Sequence, residues 1–427
     1  MPADPTPPRP ATTAPPLAHP AGAGLAEQII GLNADLDLRQ RGNLIELDRQ
    51  LHAQWRLGRN FVLAWSPRAS QVLLLVVPHY RIADYAQAAG SDGDLSANEF
   101  IIRLLSGSRR LSERQLGIAA RLLQAEPVAV TLRQPLAGSD TETRLIDRLV
   151  RRYSVSYAAG RAVALFDIVG FSLLSPFEQM TQLNSLSHSL NAAHSRMLES
   201  RMKIDFARSS TGDGFYIWNR ELGVEANTHL YHFMHLVLAD NAIARRKARG
   251  NTVPLLRAGF HVGSCYEFHH AEGLNPTLYT DIVGEATIEL ARMIERALPG
   301  QILVGEFAAR LPRAGDDGEE LLLDSIGFVD LAQHSLSRLN GLELCGDAIE
   351  AIKCYLTGQA REDGSFTIRK LAVHDKHGLS RNVFNAKVNI YRRAAEPILL
   401  GIEDRQLQAG NAALITAGHV LRSGPAA

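Results

Sequence analysis

Apolar runs and helical stripes alternate along most of the chain. Residues 72–77 and 162–166 are short, unbroken apolar runs, the pattern of buried strands. In residues 140–153, Leu145, Ile146, Leu149 and Val150 recur at helical spacing, which predicts a helix. Leu111, Ser112 and Glu113 open another helix that runs to about Leu123. Ser175, Pro176 and Glu178 form a helix start, in which Ser175 caps, Pro176 suits the first turn and Glu178 closes a capping box. That helix is predicted to reach about Arg201. Residues 206–219 read as two strands joined by a tight turn at Gly212, Asp213 and Gly214. A helix over 227–249 follows, then a hairpin from 255–262 and 266–269 that turns at Gly263. A helix over 284–297 and a strand over 301–304 complete this stretch.

From about Asp324 the pattern predicts strands alone. Phe384, Ala386, Val388 and Ile390 alternate with polar neighbours, and 397–401 is a further strand-like run. The element order implies an α+β fold: an antiparallel-rich sheet with helices packed on it, after an N-terminal α/β region and before a small C-terminal β-rich domain. The expected divisions are a disordered Pro/Ala-rich tail over 1–24, an N-terminal region over 25–157 and a central domain over 158–312. A C-terminal domain over 320–405 and a tail over 406–427 follow. Pro, Ala and Thr dominate the first tail, which cannot bury enough apolar surface to offset its ordering entropy.

Composition narrows the function classes. The chain has 427 residues, and 45 Lys and Arg balance 45 Asp and Glu. A generally basic nucleic-acid binder is therefore excluded, although a local anion site is not. Cys265, Cys345 and Cys354 are too few and too scattered for a disulfide framework or a four-thiolate zinc site, so a reducing cytoplasm is expected. No apolar run approaches the ~20 residues of a membrane span, and no signal peptide is visible. Arg144, Arg148, Arg151 and Arg152 read as a solvated helix face. His269 and His270 lack spaced partner ligands, and no GxxxxGK[ST] phosphate loop occurs.

Two acidic residues carry the functional reading. Asp167 ends the strand over 162–166, and Asp213 sits in the Gly212–Gly214 turn. If strand and hairpin are neighbours, both carboxylates point at one spot. Such a pair suits Mg²⁺ or Mn²⁺ bridging phosphate oxygens. The small residues Ser209, Ser210, Thr211, Gly212 and Gly214 would let a nucleotide approach the backbone. By itself an Asp in a Gly-Asp-Gly turn is ordinary turn chemistry.

The motif order reverses that reading. Phe166-Asp167-Ile168-Val169-Gly170-Phe171 comes first, then Thr211-Gly212-Asp213-Gly214 and Gly259-Phe260-His261-Val262-Gly263. Asp281-Ile282-Val283-Gly284, Arg292-Met293 and Pro299-Gly300-Gln301-Ile302 follow. Over about 158–312 the chain resembles the catalytic domain of class III nucleotidyl cyclases, the adenylate and guanylate cyclase family. The resemblance implies Asp167 and Asp213 as metal ligands, with the backbone at Ile168 beside the ion. It implies 168–171, including Phe171, as the phosphate-binding turn, Asp281 as a contact to the base, and Arg292 as the catalytic arginine that stabilises transition-state charge. It further implies two Mg²⁺ or Mn²⁺ ions per site, a nucleoside triphosphate substrate, and a homodimer. In that family, one subunit's aspartates face the base and arginine positions of its partner.

Two positions depart from the family pattern. Adenylate-type cyclases usually carry a Lys where this chain has Ser209, with Arg208 beside it. The ribose-orienting Asn would fall at Ile288, which cannot donate a hydrogen bond. Glu285 or Glu289 would have to substitute, or turnover would be slow. The segment 345–403, through Lys353-Cys354-Tyr355, His374-Asp375-Lys376-His377-Gly378 and Phe384-Asn385-Ala386-Lys387, looks like the small sensor domain behind some bacterial anti-phage nucleotide cyclases. Members of that group that make cyclic UMP or CMP also lack the purine-type Lys. The expectation is a cyclase with a lean to UTP or CTP through Arg208, Ser209 and Asp281, in anti-phage signalling, its product read by a cyclic-nucleotide-binding effector. The alternatives are an adenylate cyclase and a catalytically silent nucleotide-binding module.

Overall fold

A computed structural model describes residues 36–91, 95–202, 204–271, 278–313, 319–359, 367–374, 380–410 and 414–421. The fold is α+β, with a large antiparallel-rich sheet and helices packed on it. The chain divides into two compact units, residues up to 155 with 269–279, and residues 156–268 with 280–427. The expected tail over 1–24 lies outside the described residues.

The first unit runs α1 (Leu38–Trp55), β1 (Asn60–Arg68), β2 (Gln71–Pro78), α2 (His79–Ser91), α3 (Leu95–Ser106), α4 (Glu113–Leu122), β3 (Val128–Thr131) and α5 (Asp140–Arg152). The three strands form one antiparallel sheet in the order β1-β2-β3. One core gathers Leu47, Leu51 and Trp55 of α1 with Val62, Leu74, Ile146 and Leu149. Tyr153 closes it by donating to Asp48 at 2.7 Å. Arg109 is fully buried and donates to the carbonyls of Leu104, Leu105 and Val155. The arginines of α5 divide: Arg144 and Arg148 are exposed, while Arg151 pairs with Asp147 at 2.9 Å and donates to the Gly107 carbonyl.

The second unit begins on β4 (Val155–Ile168). It continues through α6 (Pro176–Glu199), β5 (Phe206–Ser210), β6 (Gly214–Asn219), α7 (Val224–Lys247), β7 (Leu256–Ala271), β8 (Leu278–Val283), α8 (Glu285–Arg296) and β9 (Ile302–Gly305). After these come β10 (Ala308–Pro312), β11 (Glu320–Asp324), α9 (Ser325–Ser335), β12 (Glu343–Leu344), β13 (Asp347–Leu356), β14 (Thr367–His374), β15 (Ser380–Arg392), β16 (Ile398–Leu400), α10 (Asp404–Gly410) and β17 (Leu414–Leu421). Twelve of these strands make one sheet, with the central order β12-β13-β15-β9-β7-β4-β6-β5. β4 is buried on both faces, which explains its unbroken apolar run. Ala162, Ala164 and Phe166 meet the core that includes α6 and α7, while Val163 and Leu165 meet the core that includes α8. The box at Ser175 forms as the sequence predicts, with Ser175 N–H donating to Glu178 at 2.9 Å. Asn227 pins α7 to β4 by accepting from Ala162 N–H and donating to the Gly160 carbonyl.

Four sequence expectations are corrected. No turn occurs at Gly263: β7 continues through it, and Gly263 lies against His261 and the Ala286 backbone. The region after Asp324 is not strands alone. Asp324 caps α9 by accepting from Gly327 N–H at 2.7 Å, and Phe328, Val329 and Ala332 are its buried face. That helical spacing was legible and outweighs the strand pattern. The C-terminal strands do not form a separate unit, since β15 pairs with β9 from Val383↔Gly305 to Ala386↔Ile302. Residues 414–421 are not tail but a strand paired with β14.

Four described histidines are buried in this unit: His229, His232 and His235 on α7, and His261 on β7. Burial pushes His232 and His261 down to about 4, and His235 well below its ordinary value. The unfolded chain therefore takes up protons near pH 6.5 that the folded chain refuses until about pH 4. Stability is expected to fall as pH drops through that window, by on the order of 3 kcal/mol for a histidine shifted that far. Thermal midpoints measured from pH 7.5 to 4.5 check this, and a flat profile contradicts it. His235→Phe, which removes a buried imidazole packed on Tyr231, is expected to make the fall shallower.

Candidate active site

Asp167 ends β4 opposite Gly214 of β6. The hairpin closes through Thr211 N–H, which donates to the Gly214 carbonyl at 3.0 Å. Gly212 has φ +98°, a conformation glycine adopts at little cost. Gly214 is needed for a different reason. A Cβ there would lie 1.9 Å from the Phe166 carbonyl oxygen, so only glycine lets the hairpin approach β4 this closely. Ile168 N–H donates to the Asp213 carbonyl at 3.0 Å, and Thr211 donates its hydroxyl to the Asp213 carboxylate at 3.2 Å. The fold brings Asp167 and Asp213 close enough for the charge of one to act on the other. Burial raises the Asp167 carboxyl above its ordinary value, Arg257 holds it back, and the charge of Asp213 raises it further.

Arg257 on β7 was not anticipated. Its Nε donates to Asp167 at 2.6 Å and its Nη1 to the Ala297 carbonyl at 3.2 Å. The signal was present, because Arg257 stands between Leu256 and Ala258 in an apolar strand, where a cation needs a partner. It places a positive charge beside the carboxylate pair.

Two carboxylates at a strand end and a turn are hard oxygen donors. Among the described residues, no three His, Cys, Asp or Glu side chains gather into a metal-binding group. Two such donors suit a divalent ion that takes its remaining ligands from phosphate oxygens. Asp167, Asp213 and the backbone at Ile168 are the residues that would hold it. Phe171 starts the short 3₁₀ turn after Gly170, packs partly on the core, and accepts from Gln179 through its carbonyl.

On β5, neighbouring side chains take opposite faces. Ser209 donates to Asp281 at 2.7 Å, joining two of the residues expected at the base. Arg208 is not with them. It donates to Ser187 of α6 at 3.2 Å and lies over the Phe215 ring, on the other face of the sheet. The expected base contact from Arg208 is therefore corrected by strand alternation. Tyr216, opposite Ser209 in register, donates to the Thr287 carbonyl at 3.1 Å and ties β6 to α8. Arg292 is half-buried on α8. Ile288 is exposed, and neither proposed substitute takes its place: Glu285 accepts from Ser264, and Glu289 pairs with Arg381.

No family model matches the chain, and no curated protein matches it. Solved structures do. The guanylate cyclase domain of RhGC from Catenaria anguillulae, in complex with GTP, is 12% identical with a TM-score of 0.33, covering 56% of this chain and 99% of its own. The adenylyl cyclase CyaB from P. aeruginosa is 16% identical with a TM-score of 0.27, covering 39% and 93% respectively. The guanylyl cyclase Cya2 is 14% identical with a TM-score of 0.27, covering 40% and 93%. No described helix is long and apolar enough to cross a membrane.

Proposed function

We propose that this chain is a nucleotidyl cyclase, a phosphorus–oxygen lyase that converts a nucleoside triphosphate to its 3′,5′-cyclic nucleotide and pyrophosphate. The observation that carries the reading is the convergence of Asp167 and Asp213 across the Gly214 contact, and in the homodimer proposed here this pair faces the Ser209–Asp281 pair and Arg292 of a second copy. The sequence motifs reach these residues in one order. In the reaction the ribose 3′-oxygen bonds to the α-phosphorus, the bond to the β-phosphate oxygen breaks, and the hydroxyl proton leaves. Mg²⁺ or Mn²⁺, when bound, would acidify the hydroxyl and neutralise the triphosphate. Asp167 and Asp213 serve by holding their charge at the strand end. Arg257 supplies a fixed cation beside the phosphates. Arg292 meets charge that grows on the phosphates in the transition state. The turn after β4 presents backbone to the triphosphate, and positioning contributes much of the rate.

The base is read by Ser209 and Asp281. Ser209 donates to Asp281, whose carboxylate is an acceptor of the kind a ring N–H or an exocyclic amine needs. The lean to UTP or CTP rested on Arg208, and it falls with Arg208 on the other face of the sheet, which leaves Ser209 and Asp281 to read the base. The role in anti-phage signalling and a downstream effector follow from the C-terminal resemblance, of which residues 375–378 lie outside the described structure.

The test is purified protein with Mn²⁺ and all four triphosphates together. One cyclic product is expected to predominate, and Arg208→Ala is expected to leave the product ratio within about twofold of wild type. Comparable amounts of all four cyclic products overturn the reading of the base by Ser209 and Asp281. No cyclic product from any triphosphate overturns the cyclase reading in favour of a silent nucleotide-binding module.

A further inference from the structure

A cavity of about 590 Å³ lies within the second unit, lined by β7, α8, β10, β15 and their flanks. This is the size range of small-molecule sites. Its lining includes His261, Glu285, Glu289, Glu306, Arg310 and Arg381. None of the residues assigned above to metal, base or arginine chemistry lines it.

The polar groups here are unevenly satisfied. Glu289 is paired with Arg381, Glu306 with Lys370 and Asn382, and Glu285 accepts from Ser264. The carboxylates therefore already have their donors. Two buried atoms and one exposed guanidinium, that of Arg310, are left over. Arg381 Nε is buried and has no hydrogen-bond partner. Arg310 makes no side-chain hydrogen bond or ion pair among the described residues. His261 is only 5% exposed, and its Nδ1 has no hydrogen-bond partner. Its ring meets Phe307 edge-on, and it fits because position 305 is glycine: a Cβ there would lie 2.3 Å from Nδ1. Burying polar groups this way is costly unless something pairs with them.

We propose that this cavity binds a small oxyanion-bearing metabolite, a phosphate or carboxylate compound no larger than a nucleoside monophosphate, paired with Arg310 and Arg381 and hydrogen-bonded by His261. An oxyanion supplies the acceptors that the leftover donors lack, and guanidinium groups suit it by geometry. Burial keeps the His261 ring neutral, so it offers one N–H and one lone pair. The assignment rests on the cavity and not on the cyclase reading. The occupied site would border the N-terminal half of α8, the helix that carries Arg292.

Calorimetric titration of the full chain with inorganic phosphate, UMP and citrate, each alone and without divalent metal, tests the proposal. At least one probe is expected to bind saturably. Arg310→Ala, an exposed position, is expected to weaken that binding tenfold or more, while Asp213→Asn leaves it unchanged. The His261 ring ¹⁵N signals, assigned by their loss in His261→Gln, are expected to move on binding. Absence of saturable binding by all three probes overturns the proposal. So does binding that survives Arg310→Ala intact, or still His261 signals. Binding lost in Asp213→Asn places the probe in the substrate site and also overturns it.

Discussion

Asp213→Asn is expected to cut cyclic-nucleotide formation by about three orders of magnitude, roughly 4 kcal/mol of transition-state stabilisation. The substitution keeps the shape of the side chain and removes its charge. Asp213 is half-exposed in its turn, and the one side-chain bond it makes is accepted from Thr211, which an Asn oxygen still accepts. Folding stability should therefore change by no more than about 0.5 kcal/mol, as for other surface substitutions. Asp167→Asn should abolish turnover as well, but its stability readout is mixed. It relieves the burial of a charge and at the same time leaves Arg257 without a charged partner. Asp213 is thus the cleaner probe. Product formation assayed with Mn²⁺, beside a melting curve, separates the two effects. Activity within tenfold of wild type in Asp213→Asn would refute the metal-ligand assignment.

The carboxylate pair was legible because the residues that build it are local. The apolar run before Asp167 states a buried strand, and Gly212 and Gly214 state a tight turn with a close approach. The capping box at Ser175 was legible for the same reason. What was missed depends on which face of an element a residue takes, or on pairing across long sequence separations. Arg208 and Ser209 are adjacent in sequence, yet one meets α6 and the other Asp281, and only the strand's register decides which. Arg257 could be suspected as a buried cation, but its partner Asp167 comes from a different strand. The run through Gly263 shows the converse: a glycine between apolar stretches suggests a turn, although here it lies beside Ala286 and His261 in a continuous strand. The pairing of β9 with β15 joins residues some eighty positions apart, which no local period reveals.

Mixing two inactive variants, Asp213→Asn and Arg292→Ala, is expected to restore activity. The proposed site takes its aspartates from one chain and its base contact and arginine from another. A heterodimer of the two variants then holds one site with both lesions and one with neither. Random pairing makes half the dimers mixed, so about a quarter of wild-type activity should return in the mixture and about half in the purified mixed dimer. In such an arrangement a second copy would cover the surface around Arg292. Val283 at the end of β8 and Ile288 on α8 are 49% and 48% exposed, apolar side chains beside the Asp281–Arg292 stretch that a second copy would cover. Arg292→Ala alone should lose about two to three orders of magnitude, because the charge it meets grows mainly in the transition state. Its substrate affinity should change less than its turnover. Co-expression of differently tagged variants, followed by tandem purification, isolates the mixed dimer for assay. An inactive mixed dimer would place the whole site within one chain and remove the shared-site reading.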